Sequence, residues 1–260
     1  MNLDGFSPTE RFKKFATSFA GCDGGDPAPG CICFCGIEWG GGYTENYDFY
    51  STDYRTLLPV DWSDLEIDFK YQFNTKLAKL FAALKGERVE NFVTVAKKHR
   101  MMGDGSKVVK FNLYPLSFQG DKNPLWTEWI YHETGFLTKD IYRVWCQQHR
   151  FPMFKKFVDE YSPRAVICVG LGVLDAYLMA FGGVDNIYEL KKNLQEVRIQ
   201  SSGGIKRFQY VHINSGKTLL VITPFLGGRK YELNSNADLQ EVGEWIRNRI
   251  KDITDREEGL

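Results

Sequence analysis

The chain has 260 residues, of which 43% are hydrophobic and 25% are charged, a balance typical of a folded globular protein and not of a disordered one. Its 33 basic residues balance its 33 acidic residues, which argues against a protein that coats nucleic acid non-specifically but allows a local basic surface beside a cleft. No apolar run approaches the roughly 18 residues of a membrane span, and the N-terminus shows no signal pattern. We therefore expect a cytoplasmic monomer with no membrane partner and one domain over residues 1–260.

The six cysteines predict buried thiols and not a metal site. Cys31, Cys33 and Cys35 alternate along one predicted strand, so their side chains share a face on which neighbouring positions do not bridge easily. The other three cysteines are scattered, and the C-x-x-C spacing of zinc and iron–sulfur sites does not occur in the sequence. We expect reduced thiols, no metal and no cofactor.

The first half of the chain predicts a helix, a strand, a long excursion and a second helix. Ser7 begins a capping box that opens an amphipathic helix with phenylalanines on one face. Residues 31–36 form an apolar strand, whereas residues 43–72 are rich in tyrosine, phenylalanine and aspartate and show no clear period. Asn74 is the predicted N-cap of the second helix, which Gly86 closes.

The second half of the chain alternates strands with helices. The predicted elements are, in order, a strand over 107–116, helices that open at Thr138 and Pro152, a buried strand over 164–170 with a helix behind it, a hairpin over 206–223 that turns at 214–216, and a last helix over 239–250. Strands separated by helices predict a three-layer α/β/α sandwich around a mainly parallel central sheet of four or five strands.

Three predicted strands end in unusual residues. Ligands of an open parallel sheet bind beyond the carboxyl ends of its strands. The first strand ends in Glu38, an indole and three consecutive glycines, the second in Asn112, and the last in Thr223 before a proline. A surface turn needs one or two glycines, so three beside an acid indicate a backbone kept bare for a ligand. We expect Glu38, Asn112 and Thr223 to converge on one cleft.

These strand ends resemble the motifs of the uracil-DNA glycosylase superfamily, most closely those of its single-strand-selective monofunctional branch. That branch has a G-x-N-P-G turn after the first strand, N-x-C-P-L after the second and H-P-S-P-R-N after the last, where this chain has "GIEWG", "NLYPL" and "TPFLGGR". "VICVGLGVLDAYL" resembles the strand–helix unit before the last motif, and "LNSNADLQEVGEWIR" resembles the closing helix. The resemblance extends from about residue 6 to residue 250 and implies a uracil-DNA glycosylase-like fold with DNA as the partner.

The resemblance also implies which residues form the site. Asn112 and Pro224 match the family pattern. At four positions the chain differs from the family. It has Glu38 where the family has asparagine or aspartate, Trp39 in place of proline, Tyr114 in place of cysteine and Thr223 in place of histidine. The implied catalytic residues are Glu38 and Thr223, the implied base-binding residues are Gly36, Trp39, Tyr50, Asn112 and Tyr114, and the implied DNA-binding residues are Gly40, Gly41, Gly42, Phe225, Leu226, Arg229 and Lys230.

The chemistry of base excision suits these residue types. Breaking a base–sugar bond develops positive charge on the sugar, which the carboxylate of Glu38 would stabilise unless it instead orients the attacking water as a general base. Asn112 offers the donor and the acceptor needed to read a pyrimidine edge, and the glycines expose N–H groups to a phosphate or a base carbonyl. An aromatic ring would stack on the extruded base, from the set Tyr43, Tyr47, Phe49 and Tyr50. Phe225 and Leu226 would wedge into the vacated stack, with Arg229 and Lys230 on the flanking phosphates.

Each role has a structural alternative. Glu38 would also suit a helix cap, Asn112 a turn before proline, and Thr223 a plain strand end. Two other functions stay open. The altered Thr223 fits a catalytically silent nucleic-acid-binding member, and glycines 40–42 fit the phosphate of a nucleotide- or nucleoside-processing enzyme, although the G-x-G-x-x-G and G-K-[ST] turns of nucleotide sites do not follow the first strand.

The glycines predict a pocket that admits a base larger than uracil, such as a hypermodified pyrimidine of phage DNA, which would fit an antiviral defence role. Gly41→Leu is expected to block release of a bulky base while sparing uracil, because the added side chain fills the space. Excision assays on paired oligonucleotides measure both rates. If Gly41→Leu slows the release of uracil and of the bulky base equally, the glycines serve only to form the backbone turn. If the wild-type protein releases only uracil, the hypothesis of an enlarged pocket is wrong.

Overall fold

A six-stranded sheet lies at the centre of the protein in a computed structural model that describes residues 6–18, 24–38, 40, 69–103, 105–118, 126–201 and 204–258. The strands are β1 (Ile32–Gly36), β2 (Val108–Asn112), β3 (Ala165–Val169), β4 (Gln195–Ser201), β5 (Gly204–Ile213) and β6 (Thr218–Thr223). Their order is β2-β1-β3-β6-β5-β4, in which the first four are parallel and the β6–β5 and β5–β4 pairs are antiparallel. The mainly parallel sheet predicted from the sequence is confirmed, with six strands where four or five were expected.

Helices cover both faces of the sheet, which confirms the predicted three-layer α/β/α sandwich. They are α1 (Glu10–Ala16), α2 (Gln72–Leu84), α3 (Phe92–Lys98), α4 (Glu128–Thr134), α5 (Lys139–His149), α6 (Phe151–Tyr161), α7 (Leu174–Tyr177), α8 (Ile187–Asn193) and α9 (Asn236–Glu258). The helices α2, α3 and α9 pack on one face, and the others pack on the opposite face. Because both faces are covered, β1, β2, β3 and β6 are buried along their whole length.

Alternate side chains of β1 enter two different cores. Cys33 and Cys35 face the layer that contains α5 and α6, whereas Ile32 and Phe34 face the layer that contains α2 and α9. The described cysteines are free and buried, as expected for reduced thiols, namely Cys31, Cys33, Cys35, Cys146 and Cys168. Burial raises the pKa of Cys146 to about 12, so that thiol stays protonated and unreactive at neutral pH.

Two helix starts differ from their predicted positions. Thr9 caps α1 by accepting a hydrogen bond from an N–H of the first turn, so the predicted cap at Ser7 is wrong. The helix α2 begins at Gln72, which places Asn74 inside its first turn and not at its cap. Thr138 caps α5 as predicted.

The predicted hairpin is present, and the strand before it was not predicted. β5 and β6 are joined by a turn in which Asn214, Ser215 and Gly216 all adopt positive φ. β4 adds a seven-residue edge strand whose polar composition gave no apolar run to detect. Among the described residues, no helix has both the length and the apolar composition needed to cross a membrane.

Gly243 marks a close approach of α9 to α2, and it generates a test of the packing. A Cβ on Gly243 would lie 2.5 Å from the Cβ of Ala83 and 2.9 Å from the carbonyl oxygen of Leu80. Alanine gains about 1 kcal/mol of helix propensity over glycine, but overpacking costs about 1–3 kcal/mol. Gly243→Ala is therefore expected to lower the urea midpoint of unfolding, while Gly172→Ala, which meets nothing within 4 Å, leaves it unchanged or slightly higher. A raised midpoint for Gly243→Ala would contradict this packing.

Candidate functional site

The strand ends singled out in the sequence lie along one edge of the sheet. The strands β1, β2 and β6 are parallel in one sheet, so their carboxyl ends meet at the same edge of the sheet. The last residues of these strands are Gly36, Asn112 and Thr223. β1 and β2 are direct neighbours, and their register pairs Gly36 with Asn112. β3 separates β1 from β6, so Thr223 lies two strands away from Gly36.

The side chain of Asn112 occupies the space beside Gly36 on the α2 face of the sheet. A Cβ on Gly36 would lie 2.6 Å from Oδ1 of Asn112 and 3.9 Å from Cζ of Phe73, in the first turn of α2. The rings of Phe73 and Phe225 pack with centroids 6.0 Å apart and planes inclined by 41°. The amide and an aromatic pair therefore border the bare backbone at Gly36. Asn112 is only 3% exposed, so a ligand reaches it by displacing the side chains that cover it.

A buried guanidinium fixes the main chain that carries Asn112. Arg150 is 1% exposed, and it donates from Nη2 to the carbonyl of Asn112 at 3.2 Å and from Nε to that of Leu113 at 3.0 Å. Its Nη1 donates to the carbonyls of Ala16 at 2.7 Å and Ser18 at 3.0 Å. Hydrogen bonds to a charged donor are stronger than neutral ones, so Arg150 holds the end of β2 against the residues that end and follow α1.

Glu38 lies in a cluster of charges just beyond β1. Its Oε1 is 2.8 Å from Nζ of Lys139, and its Oε2 is 3.7 Å from Nη2 of Arg143. Lys139 and Arg143 share one face of α5 because they are four residues apart. Lys139 is 1% exposed, and its Nζ also lies 3.8 Å from the ring centroid of Phe118. Among the described residues, Glu38 is therefore within ion-pair distance of two cations of α5.

The carboxylate of Glu38 and the amide of Asn112 point to opposite helix layers. Glu38 contacts α5, whereas Asn112 lies on the side of Phe73 in α2. The shared sheet edge is present as predicted, and the two cations of α5 hold the carboxylate on their own side of it. The convergence of Glu38, Asn112 and Thr223 on one cleft stays a prediction. A ligand that contacts both groups has to lie across the edge at Gly36.

Two predicted site residues are buried in the core. Thr223 is fully buried, and its hydroxyl is within donating distance of the carbonyls of Cys168 at 3.2 Å and Pro224 at 3.0 Å. Tyr114 is 2% exposed and packs against Tyr142, and its burial raises its pKa to about 12. Both side chains are thus about as buried as that of Asn112, and the predicted catalytic contact of Thr223 and base contact of Tyr114 would likewise require the covering side chains to move. Both roles stay predictions.

The loop after β6 exposes one of the two predicted wedge residues. Phe225 is 44% exposed, whereas Leu226 is 1% exposed and packs in the core beneath the loop. The wedge role of Leu226 is therefore wrong, because its side chain anchors the loop. Arg229 and Lys230 are exposed as expected. Tyr231, which the sequence did not single out, is 80% exposed, and Nζ of Lys230 lies 5.9 Å from its ring centroid.

Several predicted positions lie outside the described residues, namely Trp39, Gly41, Gly42, Tyr50 and the possible stacking residues Tyr43, Tyr47 and Phe49. Gly40 is described, and a Cβ on it would meet nothing within 4 Å. Its carbonyl accepts a hydrogen bond from Oγ of Ser117 at 2.9 Å. In the ranges that the structure describes, no three His, Cys, Asp or Glu side chains are placed to hold a metal ion.

Sequence reasoning missed Phe73, Lys139 and Arg143. The helix that begins after Thr138 was predicted, and the four-residue spacing already placed the two cations on one face. Nothing in the sequence pairs that face with Glu38, which precedes Lys139 by 101 residues. Phe73 was missed because the predicted start of α2 lay beyond it.

A scan against protein-family models and a search of curated proteins found no match to this chain. The resemblance of its strand ends to the uracil-DNA glycosylase superfamily therefore stays a hypothesis. The site is interpreted from its own geometry.

The ion pair between Glu38 and Lys139 generates a stability test. Lys139→Met leaves the largely buried carboxylate with Arg143, so we expect a loss of about 2–3 kcal/mol, near the low end for breaking a buried pair. The double variant Glu38→Gln/Lys139→Met is expected to lose less than the sum of the two single losses. Urea unfolding measures all three.

The matched control for this test is Lys192→Met, which breaks an exposed pair with Glu189 and should cost no more than about 0.5 kcal/mol. Strictly additive losses for Glu38 and Lys139 would show that the two side chains do not interact in solution.

Proposed function

We propose that this protein is a DNA N-glycosylase, a hydrolase that breaks the bond between an extruded base and its sugar. The observation that carries the proposal is the arrangement at Gly36, where an amide and an aromatic ring border a bare backbone position and an acid follows two residues later. An amide that hydrogen-bonds, a ring that stacks and a carboxylate that orients water are the groups that base excision requires. The order of the three strand-end motifs supports the same activity.

Asn112 and Phe73 are the proposed base-binding residues. The amide of Asn112 has both a donor and an acceptor, and it can pair with the edge of uracil or of a modified pyrimidine. Stacking of a base on an aromatic ring contributes about 1–3 kcal/mol and tolerates different bases. Arg150 supports base recognition because it fixes the main chain of Asn112. If the side-chain amide of Asn112 were displaced, it would not pair with the base, and a buried polar group left unpaired costs about 1–3 kcal/mol.

Glu38 is the proposed catalytic residue, and its surroundings favour one of the two roles considered for it. Glu38 is ion-paired with Lys139 and Arg143, and a carboxylate whose charge is already shared with two cations stabilises a cationic sugar less effectively. The same pairs hold the carboxylate in a fixed orientation, as a group that positions water requires. We therefore assign Glu38 to orienting the attacking water, while Lys139 and Arg143 would stabilise the anion of the departing base.

The exposed part of the loop after β6 is the proposed DNA contact. Phe225, Arg229 and Lys230 are exposed, and we expect Phe225 to enter the base stack while the two cations contact phosphates. Local basic groups of this kind are compatible with a zero net charge, because phosphate contacts depend on charges near the backbone.

One observation favours a second function, a nucleotide- or nucleoside-processing enzyme. The two cations beside Glu38 and the uncrowded Gly40 would suit the phosphate of a free nucleotide. The two functions differ in substrate, because a glycosylase needs the base within a strand and a nucleotide enzyme does not.

The experiment is single-turnover base release from oligonucleotides that carry uracil, a thymine mismatch or a hypermodified cytosine, followed by alkaline cleavage. We expect release from at least one of them, and Glu38→Gln is expected to slow it by on the order of 10²-fold or more while DNA binding is kept. Asn112→Ala is expected to reduce both the rate and the discrimination between bases.

Two results would remove this proposal. Turnover of free nucleotides without release from any oligonucleotide would favour the second function, and DNA binding without release would favour a catalytically silent binding protein. A wild-type rate for Glu38→Gln would remove Glu38 alone from the mechanism.

A further inference from the structure

The β6–α9 loop, residues 224–235, is attached to α2 by a buried lysine. Lys76 is 8% exposed, and its Nζ donates to the carbonyl oxygens of Gly227 and Leu233, the latter at 3.3 Å. Burial lowers the pKa of Lys76, because the charged ammonium has lost much of its hydration. Nearby Glu232 acts in the opposite direction and favours the charged form.

A second buried lysine attaches the same loop to β5. Lys206 is 1% exposed, and its Nζ donates to the carbonyls of Lys230 at 2.7 Å and Glu232 at 2.8 Å. The same Nζ lies 3.5 Å from Oδ2 of Asp238, a fully buried carboxylate in the first turn of α9. That oxygen accepts two further hydrogen bonds from N–H groups of the loop, each at 3.1 Å.

The loop is also ordered by contacts within itself. Leu226 and Leu233 are buried beneath it, and the N–H of Leu233 donates to the carbonyl of Phe225 at 3.0 Å. The carboxylate of Glu232 accepts from the N–H of Arg229 at 2.7 Å and occupies the space where a Cβ on Gly227 would lie. The ammonium groups therefore act on a loop that has one compact shape.

The positions of the two lysines indicate what they are for. A buried ammonium has to recover its lost hydration from hydrogen-bond acceptors, and the four carbonyl acceptors named here all belong to this one loop. If the loop changed shape, both ammonium groups would lose acceptors together. The loop also presents Phe225, Arg229 and Lys230, the proposed DNA-contacting side chains, and the neighbouring Tyr231 on its exposed side.

We propose that Lys76 and Lys206 are positioning residues that hold the β6–α9 loop in its DNA-binding shape. The inference rests on the proposed function for the identity of the partner. A loop that is already ordered loses less conformational entropy on binding, so the two lysines raise affinity for DNA without taking part in bond cleavage. Their substitution should therefore weaken binding and leave the rate at saturation unchanged.

The test compares Lys76→Met and Lys206→Met with the wild-type protein in three measurements. These are hydrogen exchange of the amides over 224–235, the Kd for a fluorescent oligonucleotide that carries a releasable base, and single-turnover release at saturating protein. We expect loop exchange and Kd to rise by on the order of tenfold, and the saturated rate to stay within about twofold.

Three control variants separate the proposed role from simpler effects. Val158→Ala creates a cavity in α6, on the opposite layer, and reports the effect of lost stability alone. Lys192→Met removes an exposed positive charge from α8, outside the loop, and reports the effect of charge alone. Lys206→Arg keeps a charged donor and is expected to recover part of the affinity.

Gly227→Ala supplies an independent variant in case the lysine variants fail to fold. Its added Cβ would displace the carboxylate of Glu232 and distort the loop without removing either ammonium group. It is expected to weaken DNA binding in the same way, with the same saturated rate.

The outcomes of this test distinguish a failure of the positioning role from a failure of the proposed function. Changes in loop exchange and Kd no larger than those of Val158→Ala would overturn the positioning role, even if base release is observed. Conversely, DNA binding that depends on the lysines, with no base release by the wild-type protein, would remove the glycosylase and keep the positioning role. A wild-type protein that binds no oligonucleotide would overturn the DNA-binding role of the loop.

Discussion

The parallel pairing of β1 with β2 sets Gly36 opposite Asn112, and the candidate site depends on this register. A shift by one residue would turn the side chain of Asn112 to the other face of the sheet, away from Phe73. The same shift would also replace Gly36 by a residue with a side chain, which would occupy the space that the amide of Asn112 now fills. Arg150 supports the register from outside the sheet, because it donates to the carbonyl of Asn112 and to that of the residue after it.

Buried cations recur where irregular segments meet the sheet. Arg150 holds the end of β2, Lys139 pairs with the acid beyond β1, and Lys76 and Lys206 hold the loop after β6. Three of these four cations, Arg150, Lys76 and Lys206, donate to main-chain carbonyls at a strand end or in a loop, where the regular sheet ladder no longer supplies a hydrogen bond. Although the net charge of the chain is zero, buried positive charges therefore stabilise particular segments of the fold.

The charges around Glu38 bear most directly on mechanism. A carboxylate alone would favour a positively charged transition state, but the carboxylate of Glu38 is ion-paired with Lys139 and Arg143. Under the proposed function, the two ion pairs hold Glu38 in place to orient water. The separation of Glu38 and Asn112 onto two sides of the edge has a similar consequence, since a bound nucleotide would have to lie across Gly36 with its base toward Phe73.

The layered architecture and the positions of the strand ends could be predicted from the amino-acid sequence. Apolar runs such as 164–170 and the cap at Thr138 identify their elements, because burial and capping act over a few neighbouring residues. The sequence also located Glu38, Asn112 and Phe225 as residues near one sheet edge. These properties depend on neighbouring residues, so they are the same in the sequence and in the folded chain.

The burial and the direction of those side chains became visible in the folded chain alone. Tyr114, Thr223 and Leu226 carry motif positions but are buried, as is Asn112, and no local pattern distinguishes an inward from an outward side chain at the end of a strand. The pairing of Glu38 with Lys139 joins residues that are 101 positions apart, and the acceptors of Lys206 arise from a loop whose path depends on α2, β5 and α9 together. Side-chain direction and long-range ion pairing follow from packing between distant segments, which is why they appear only in the folded chain.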